Sequence, residues 1–139
     1  MALKVILDTR FFFSYYNPED ENIGGWSRKI VEKISKGDIE AFSSTITVTE
    51  LYNTMGRVIG KDVVKLRILS MKQSNISFIP LDEEIAHLAG MIALKIARIP
   101  LADAIIAATA LIHAGGVVLT DDEHFKLIKG IRIRWLDRV

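Results

Sequence analysis

The chain of 139 residues contains no cysteine, which excludes disulfide frameworks, thiolate metal sites and cysteine nucleophiles together. Any metal it holds must take oxygen or imidazole ligands. It also lacks an apolar run near the roughly 20 residues that a membrane span needs, because Lys95, Arg98 and Asp103 interrupt the richest stretch. The opening Leu3-Lys4-Val5-Ile6-Leu7 is too short for a signal peptide and meets Asp8 at once. A soluble, cytoplasmic protein without membrane contact is expected. Net charge is nearly absent at +1, with 18 basic against 17 acidic residues, so composition alone announces no nucleic-acid binder. Phosphate-binding glycine loops are missing too: no Gly-Lys-Ser/Thr signature occurs, and Gly24-Gly25 lacks the further glycine of a dinucleotide loop. No Gly-x-Ser-x-Gly elbow appears either, which removes serine hydrolase chemistry.

Half of the residues are hydrophobic, enough to bury one sizeable core, and the length suits a single domain over residues 1–139. Strands and helices alternate. The run Leu3-Lys4-Val5-Ile6-Leu7 reads as a strand buried on both faces of a parallel sheet. A helical turn through Phe11-Phe12-Phe13 is followed by a loop over 17–22 closed by Gly24-Gly25, and then by a helix over 27–35 with Ile30, Val31 and Ile34 on one face. Glu40-Ala41-Phe42-Ser43 reads as the second strand. Thr47-Val48-Thr49-Glu50 has the spacing of a capping box, leading into a helix with Leu51, Met55, Val58 and Ile59. A further helix starts near Asp62, Ser77-Phe78-Ile79 forms a short strand, and the acidic turn Asp82-Glu83-Glu84 opens another helix. The most apolar helix runs from Pro100 to about His113, followed by Gly115-Gly116, the strand Val117-Val118-Leu119 and a short helix through Phe125. Ile131-Arg132-Ile133-Arg134-Trp135 alternates apolar and basic residues, as an edge strand would. The pattern implies an α/β chain with a mostly parallel sheet covered on both faces.

Acidic residues mark the strand-to-helix junctions: Asp8, Glu50, Asp103 and the pair Asp121-Asp122. Each alone has a structural explanation as a cap or first-turn residue. Together they point elsewhere, because strand C-termini in a parallel sheet share one edge, where ligands bind at the topological switch point. Four carboxylates converging to roughly 5 Å would repel by about 3 kcal/mol per pair at an effective dielectric near 20. A divalent cation removes that cost. Magnesium and manganese take hard oxygen ligands and bind through a few carboxylates plus substrate phosphate, which suits phosphodiester hydrolysis.

Four stretches carry a resemblance: Val5-Ile6-Leu7-Asp8-Thr9; Ile46-Thr47-Val48-Thr49-Glu50-Leu51; Ile99-Pro100-Leu101-Ala102-Asp103-Ala104-Ile105-Ile106-Ala107-Ala108-Thr109-Ala110; and Leu119-Thr120-Asp121-Asp122-Glu123-His124-Phe125. In this order they resemble the PIN-domain ribonucleases, particularly the VapC-type toxins of prokaryotic toxin–antitoxin pairs. The resemblance implies a three-layer α/β/α sandwich, an Mg2+- or Mn2+-dependent endoribonuclease acting on RNA, a homodimer, and inhibition by a small antitoxin protein. Carried over residue by residue, it implies Asp8, Glu50, Asp103 and Asp122 as catalytic metal ligands, with Asp121 the alternative fourth. Thr9 and Thr120 match the supporting hydroxyls. Arg10 departs from the pattern, which has a small polar residue there. It would contact a substrate phosphate or pair with an acid and weaken the site.

Other residues carry less. His87, His113 and His124 lack the spacing that places two imidazoles on one helical face, and read as core or surface residues, although His124 matches the family pattern. The aromatics Phe11, Phe12, Phe13, Tyr15 and Tyr16 read as packing, with base stacking or burial under an antitoxin segment as the alternative. The basic tail Lys126, Lys129, Arg132, Arg134 and Arg138 is either a solvated rim or an edge that tracks phosphates. Two other functions stay open: a PIN-fold module that binds RNA or protein without catalysis, and a receiver-like signalling domain. The second needs a Lys at a late strand end, and none follows Ser77-Phe78-Ile79 or Val117-Val118-Leu119 in the right place.

Overall fold

The computed structural model describes residues 2–136. Asp137 and Arg138, the last charges of the basic tail, lie outside the described residues. Five strands form one sheet in the order β3-β2-β1-β4-β5: β1 Leu3–Leu7, β2 Ile39–Ser44, β3 Ser77–Ile79, β4 Val117–Leu119 and β5 Arg132–Arg134. Every pairing is parallel, with Val5 opposite Ala41, Ile6 opposite Val118, and Leu119 opposite Arg134. The central strand is therefore β1, and the chain leaves it first toward β2 and β3, then returns to its other side as β4. That reversal puts the switch point between the C-terminal ends of β1 and β4.

Alternation along β1 divides the core into two layers. Val5 and Leu7 face α1 Thr9–Tyr16, α2 Glu21–Ser35, α3 Thr45–Thr54 and α5 Lys61–Gln73, through Phe11, Phe12, Ile30, Ile34, Leu51 and Met71. Ile6 faces the other way, onto α6 Glu83–Lys95, α7 Leu101–His113 and the 3-10 turn Glu123–Leu127. A short helix, α4 Gly56–Ile59, joins α3 to α5. This is a three-layer α/β/α sandwich. No helix among the described residues is long and apolar enough to cross a membrane.

Three sequence-based boundaries shift. The helix expected over 27–35 begins at Glu21: the Asp20 carboxylate caps it, accepting from Ile23 N at 2.9 Å, and this cap together with the packing of Gly24 against Pro18 offsets two interior glycines at about 1 kcal/mol each. Gly24 and Gly25 therefore lie inside α2 rather than in a loop. The helical turn at Phe11 extends to two full turns. Thr47 and Glu50 do not form a capping box: Ser44 caps α3, its hydroxyl accepting from Ile46 N at 3.2 Å, so Thr47 and Glu50 stand three apart within the helix on one face.

Gly116 closes the passage from α7 to β4. Its φ of +85° lies in the region glycine favours, and a Cβ there would stand 2.0 Å from the carbonyl oxygen of Gly130. Its own carbonyl accepts from Arg132 N at 2.8 Å, which ties the entry of β4 to the entry of β5.

Candidate metal centre

Each acid reaches the switch point on a different element. Asp8 follows β1 and caps α1, with Oδ1 accepting from Thr9 N at 2.8 Å. Glu50 sits in the second turn of α3, and Asp103 in the first turn of α7, behind Pro100. Asp122 follows β4 and caps the 3-10 turn. The capping roles and the convergence coexist.

Two threonines tie the acids together in pairs, Thr120 through its hydroxyl and Thr9 through its hydroxyl and its backbone N–H. Thr120 Oγ1 donates to Asp8 Oδ2 at 2.7 Å and accepts from Asp122 N at 3.0 Å. Thr9 Oγ1 donates to Glu50 Oε1 at 2.6 Å; its one proton is thereby committed, so at 3.1 Å Thr47 Oγ1 must be the donor to Thr9. The sequence reading took Thr47 for a cap and missed this buttress. Its signal was present: once Ser44 starts the helix, the spacing from Thr47 to Glu50 puts both on the face toward Thr9.

The electrostatics record the convergence. Asp8 is pushed up to about 6, chiefly by burial, against the hydrogen bonds from Thr120 and Thr9, with the charges of Glu50 and Asp122 adding to the rise. Asp103 is pushed up to about 7 by burial first, then by the negative charges of Asp122 and Asp8. Its side chain is 13% exposed, and its Oδ2 is buried without a hydrogen-bond partner. A buried carboxylate oxygen left in this way is costly, and a cation satisfies it.

His124 belongs to the same group, contrary to its reading as an isolated histidine. Its Nδ1 lies 2.9 Å from Asp122 Oδ1 and 3.5 Å from Asp103 Oδ2. One donor atom each from Asp103, Asp122 and His124 falls within 4.8 Å of the others, in a grouping that could hold a metal ion. The sequence signal was its position two residues after Asp122 in a turn that brings the ring back over its own cap.

Asp121 and Arg10 stand apart. Arg10 Nε donates to Asp121 Oδ1, and its terminal nitrogen donates to Asp121 Oδ2 at 3.2 Å, in an exposed pair. Asp121 thus faces Arg10, whereas Asp122 faces Asp103 and His124. Arg10 engages neither Asp8 nor Asp122 by hydrogen bond, although both charges raise its pKa after the larger effect of Asp121. The edge strand β5 borders this end of the sheet, its Arg134 carbonyl accepting from Thr120 N at 3.1 Å.

By sequence, no curated protein matches the chain at a significant level. Its fold is similar to solved structures over nearly its whole length. A chain of VapBC2 from Rickettsia felis, crystallised with a promoter DNA fragment, has a TM-score of 0.75 at 17% identity, covering 96% of this chain and 98% of that one. A chain of DNA-bound VapBC from Salmonella typhimurium has a TM-score of 0.70 at 26% identity, over 97% and 99%. VapC20 of Mycobacterium tuberculosis, described as a sarcin-ricin loop cleaving toxin, has a TM-score of 0.72 at 13% identity, over 94% and 98%. The PIN domain family model matches residues 5–131, a span that contains every acid of the centre. The chain therefore belongs to the PIN domain family, with a fold it shares with VapC20 and with chains of VapBC complexes.

Proposed function

We propose that the protein is a metal-dependent endoribonuclease that hydrolyses RNA phosphodiester bonds, and the toxin of a VapBC-type pair. The observation that carries this reading is the gathering of four carboxylates at the switch point, with a buried Asp103 oxygen that has no partner. Family membership and the toxin structures among its neighbours support it.

Asp8, Glu50, Asp103 and Asp122 would hold Mg2+ or Mn2+. When bound, the ion supplies Lewis-acid chemistry, activating water and neutralising charge on the phosphate. The chain's own residues prepare for it. Thr120 fixes the outer oxygen of Asp8 and the backbone of Asp122, and Thr9 with Thr47 fixes Glu50. In the metal-free protein Asp8 and Asp103 are held above the ordinary carboxylate range, at about 6 and about 7, and a bound ion would favour their deprotonated forms. Arg10, held at the rim by a two-point contact with Asp121, would offer its remaining guanidinium donors to a neighbouring phosphate of the RNA. Asp121 serves it as holder, which leaves Asp122 as the fourth acid.

A homodimer and a small antitoxin partner form part of the same proposal. The surface offers apolar ground for both: Val58 is 85% and Leu94 88% exposed, and a groove of about 490 Å3 runs between α1, α4 and α5, lined by Phe13, Tyr16, Met55, Val58 and Ile59. Exposed apolar patches mark such contacts.

Purified protein should cut RNA with Mg2+ or Mn2+ and stop in excess chelator. Asp103→Asn should lower cleavage by more than roughly 100-fold, beyond the tenfold to 100-fold expected for losing a supporting group, with the fold intact by circular dichroism. Full cleavage by Asp103→Asn, or cleavage unaffected by chelator, sinks the proposal. RNA or protein binding without any cutting would instead favour a non-catalytic PIN module.

A further inference from the structure

The geometry points to His124 as a nitrogen ligand of the metal centre, giving it a mixed oxygen and imidazole donor set that favours Mn2+ over Mg2+. This rests on the metal-dependent reading above and adds to it the identity of the ion.

The argument begins with distances. Ligand atoms bound to one ion at roughly 2.1 Å stand about 3 Å apart when they occupy adjacent octahedral corners. His124 Nδ1 stands 2.9 Å from Asp122 Oδ1 and 3.5 Å from Asp103 Oδ2, so the imidazole nitrogen is already close to both oxygens at separations near those of a shared coordination sphere.

An ordinary ion pair accounts for the arrangement less completely. Asp122 Oδ1 already accepts from the backbone N of His124 at 3.0 Å, so a ring N–H aimed at the same oxygen is its second donor. Meanwhile the buried Asp103 Oδ2 is left without a hydrogen bond, since 3.5 Å is beyond normal hydrogen-bond reach. A cation among the three atoms satisfies that oxygen, draws on the Nδ1 lone pair of the neutral ring and uses the free lone pairs of Asp122 together.

The position of the ring supports a ligand role as well. Its side chain is 53% exposed and forms no part of the apolar cluster beneath it, whereas Phe125 next to it is fully buried there. The 3-10 turn anchors itself through Phe125 and the Asp122 cap, and holds the imidazole at the mouth of the centre.

The selectivity follows from ligand chemistry. Mg2+ demands near-ideal oxygen coordination and dehydrates reluctantly, whereas Mn2+, also served by oxygen donors, belongs to the first-row series that binds mixed nitrogen and oxygen sites. Replacing one oxygen corner by nitrogen penalises Mg2+ and leaves Mn2+ well served.

The test uses the full chain with Mn2+ or Mg2+ alone. Wild-type protein loaded with Mn2+ should show nitrogen modulation in pulsed electron paramagnetic resonance, and His124→Gln should lose it. In competition, Mg2+ should displace Mn2+ from the variant at roughly tenfold lower concentration than from wild type. His87→Gln and His113→Gln should keep the wild-type modulation. Mn2+ bound by the wild type without nitrogen modulation, or modulation that persists in His124→Gln, overturns the inference while leaving the nuclease reading intact. No Mn2+ binding at all overturns the inference, and the nuclease reading falls with it only if Mg2+ also supports no cleavage. Nitrogen modulation in a protein that cuts no RNA upholds the ligand and removes the nuclease reading alone.

Discussion

Asp8 and Asp103 have work to do before any ion arrives, because the fold holds both carboxyls above their ordinary range. In the unfolded chain each loses its proton near pH 4; in the folded, metal-free protein the losses come at about 6 and about 7. Between those limits the folded state binds more protons than the unfolded one, so stability is greatest below pH 4 as far as these two groups are concerned and falls as pH rises through 6 to 7. For Asp8 the shift from 3.8 to about 6 corresponds to a loss on the order of 3 kcal/mol. Chelator-treated protein should therefore melt at a lower temperature at pH 7.5 than at pH 5, and Asp8→Asn should flatten that slope. A melting temperature that rises over this interval and is insensitive to Asp8→Asn would contradict the account. Arg10 shows what one residue's identity leaves open. The sequence places a cation beside the acids, but only the fold brings residue 121 within its reach, and the exposed pair they form contributes no more than about 1 kcal/mol.

At the scale of elements, the turn between α7 and β4 is the least forgiving. Gly116→Ala would drive a methyl group against the backbone of Gly130 at a positive φ, and should destabilise the protein by roughly 2 to 4 kcal/mol in urea unfolding. Gly115 also has positive φ but meets nothing within 4 Å, so Gly115→Ala should cost only about 1 to 2 kcal/mol. Equal effects would mean that the contact with Gly130 is unimportant. The elements with continuous or nearly continuous apolar runs, β1, β4 and α7, were legible because extensive burial leaves one pattern to read. The start of α2 was not. There a local rule, that paired glycines end helices, competes with the Asp20 cap, and tertiary packing decides: Gly24 lies against Pro18, where a Cβ would stand 3.2 Å from the ring. The Thr47-Glu50 spacing failed for a similar reason, since a capping box and a functional pair inside a helix look alike until the true cap, Ser44, is known.

For the molecule as a whole, the order of acids along the chain was legible because a parallel sheet sends every strand end to one edge. The contributions of Thr47 and His124 were harder to read, because their spacing to Glu50 and Asp122 gains meaning only once the true cap of α3 and the turn after β4 are known. A bound ion should couple all of these elements. At 100 times its dissociation constant, Mn2+ should add about 2.7 kcal/mol to stability, a rise of roughly 8 to 12 °C in melting temperature for a domain of this size. Asp103→Asn should abolish the rise, and an equal rise in that variant would place the ion elsewhere. The sheet order carries one more consequence. Because β4 inserts beside β1 with residue 118 opposite residue 6, Asp8 waits for more than a hundred further residues before Thr120 and Asp122 can join it. A growing chain on the ribosome thus carries Asp8 and Glu50 long before it has a centre. Whatever chemistry the pocket performs is withheld from the translating cell until residue 122 has been made.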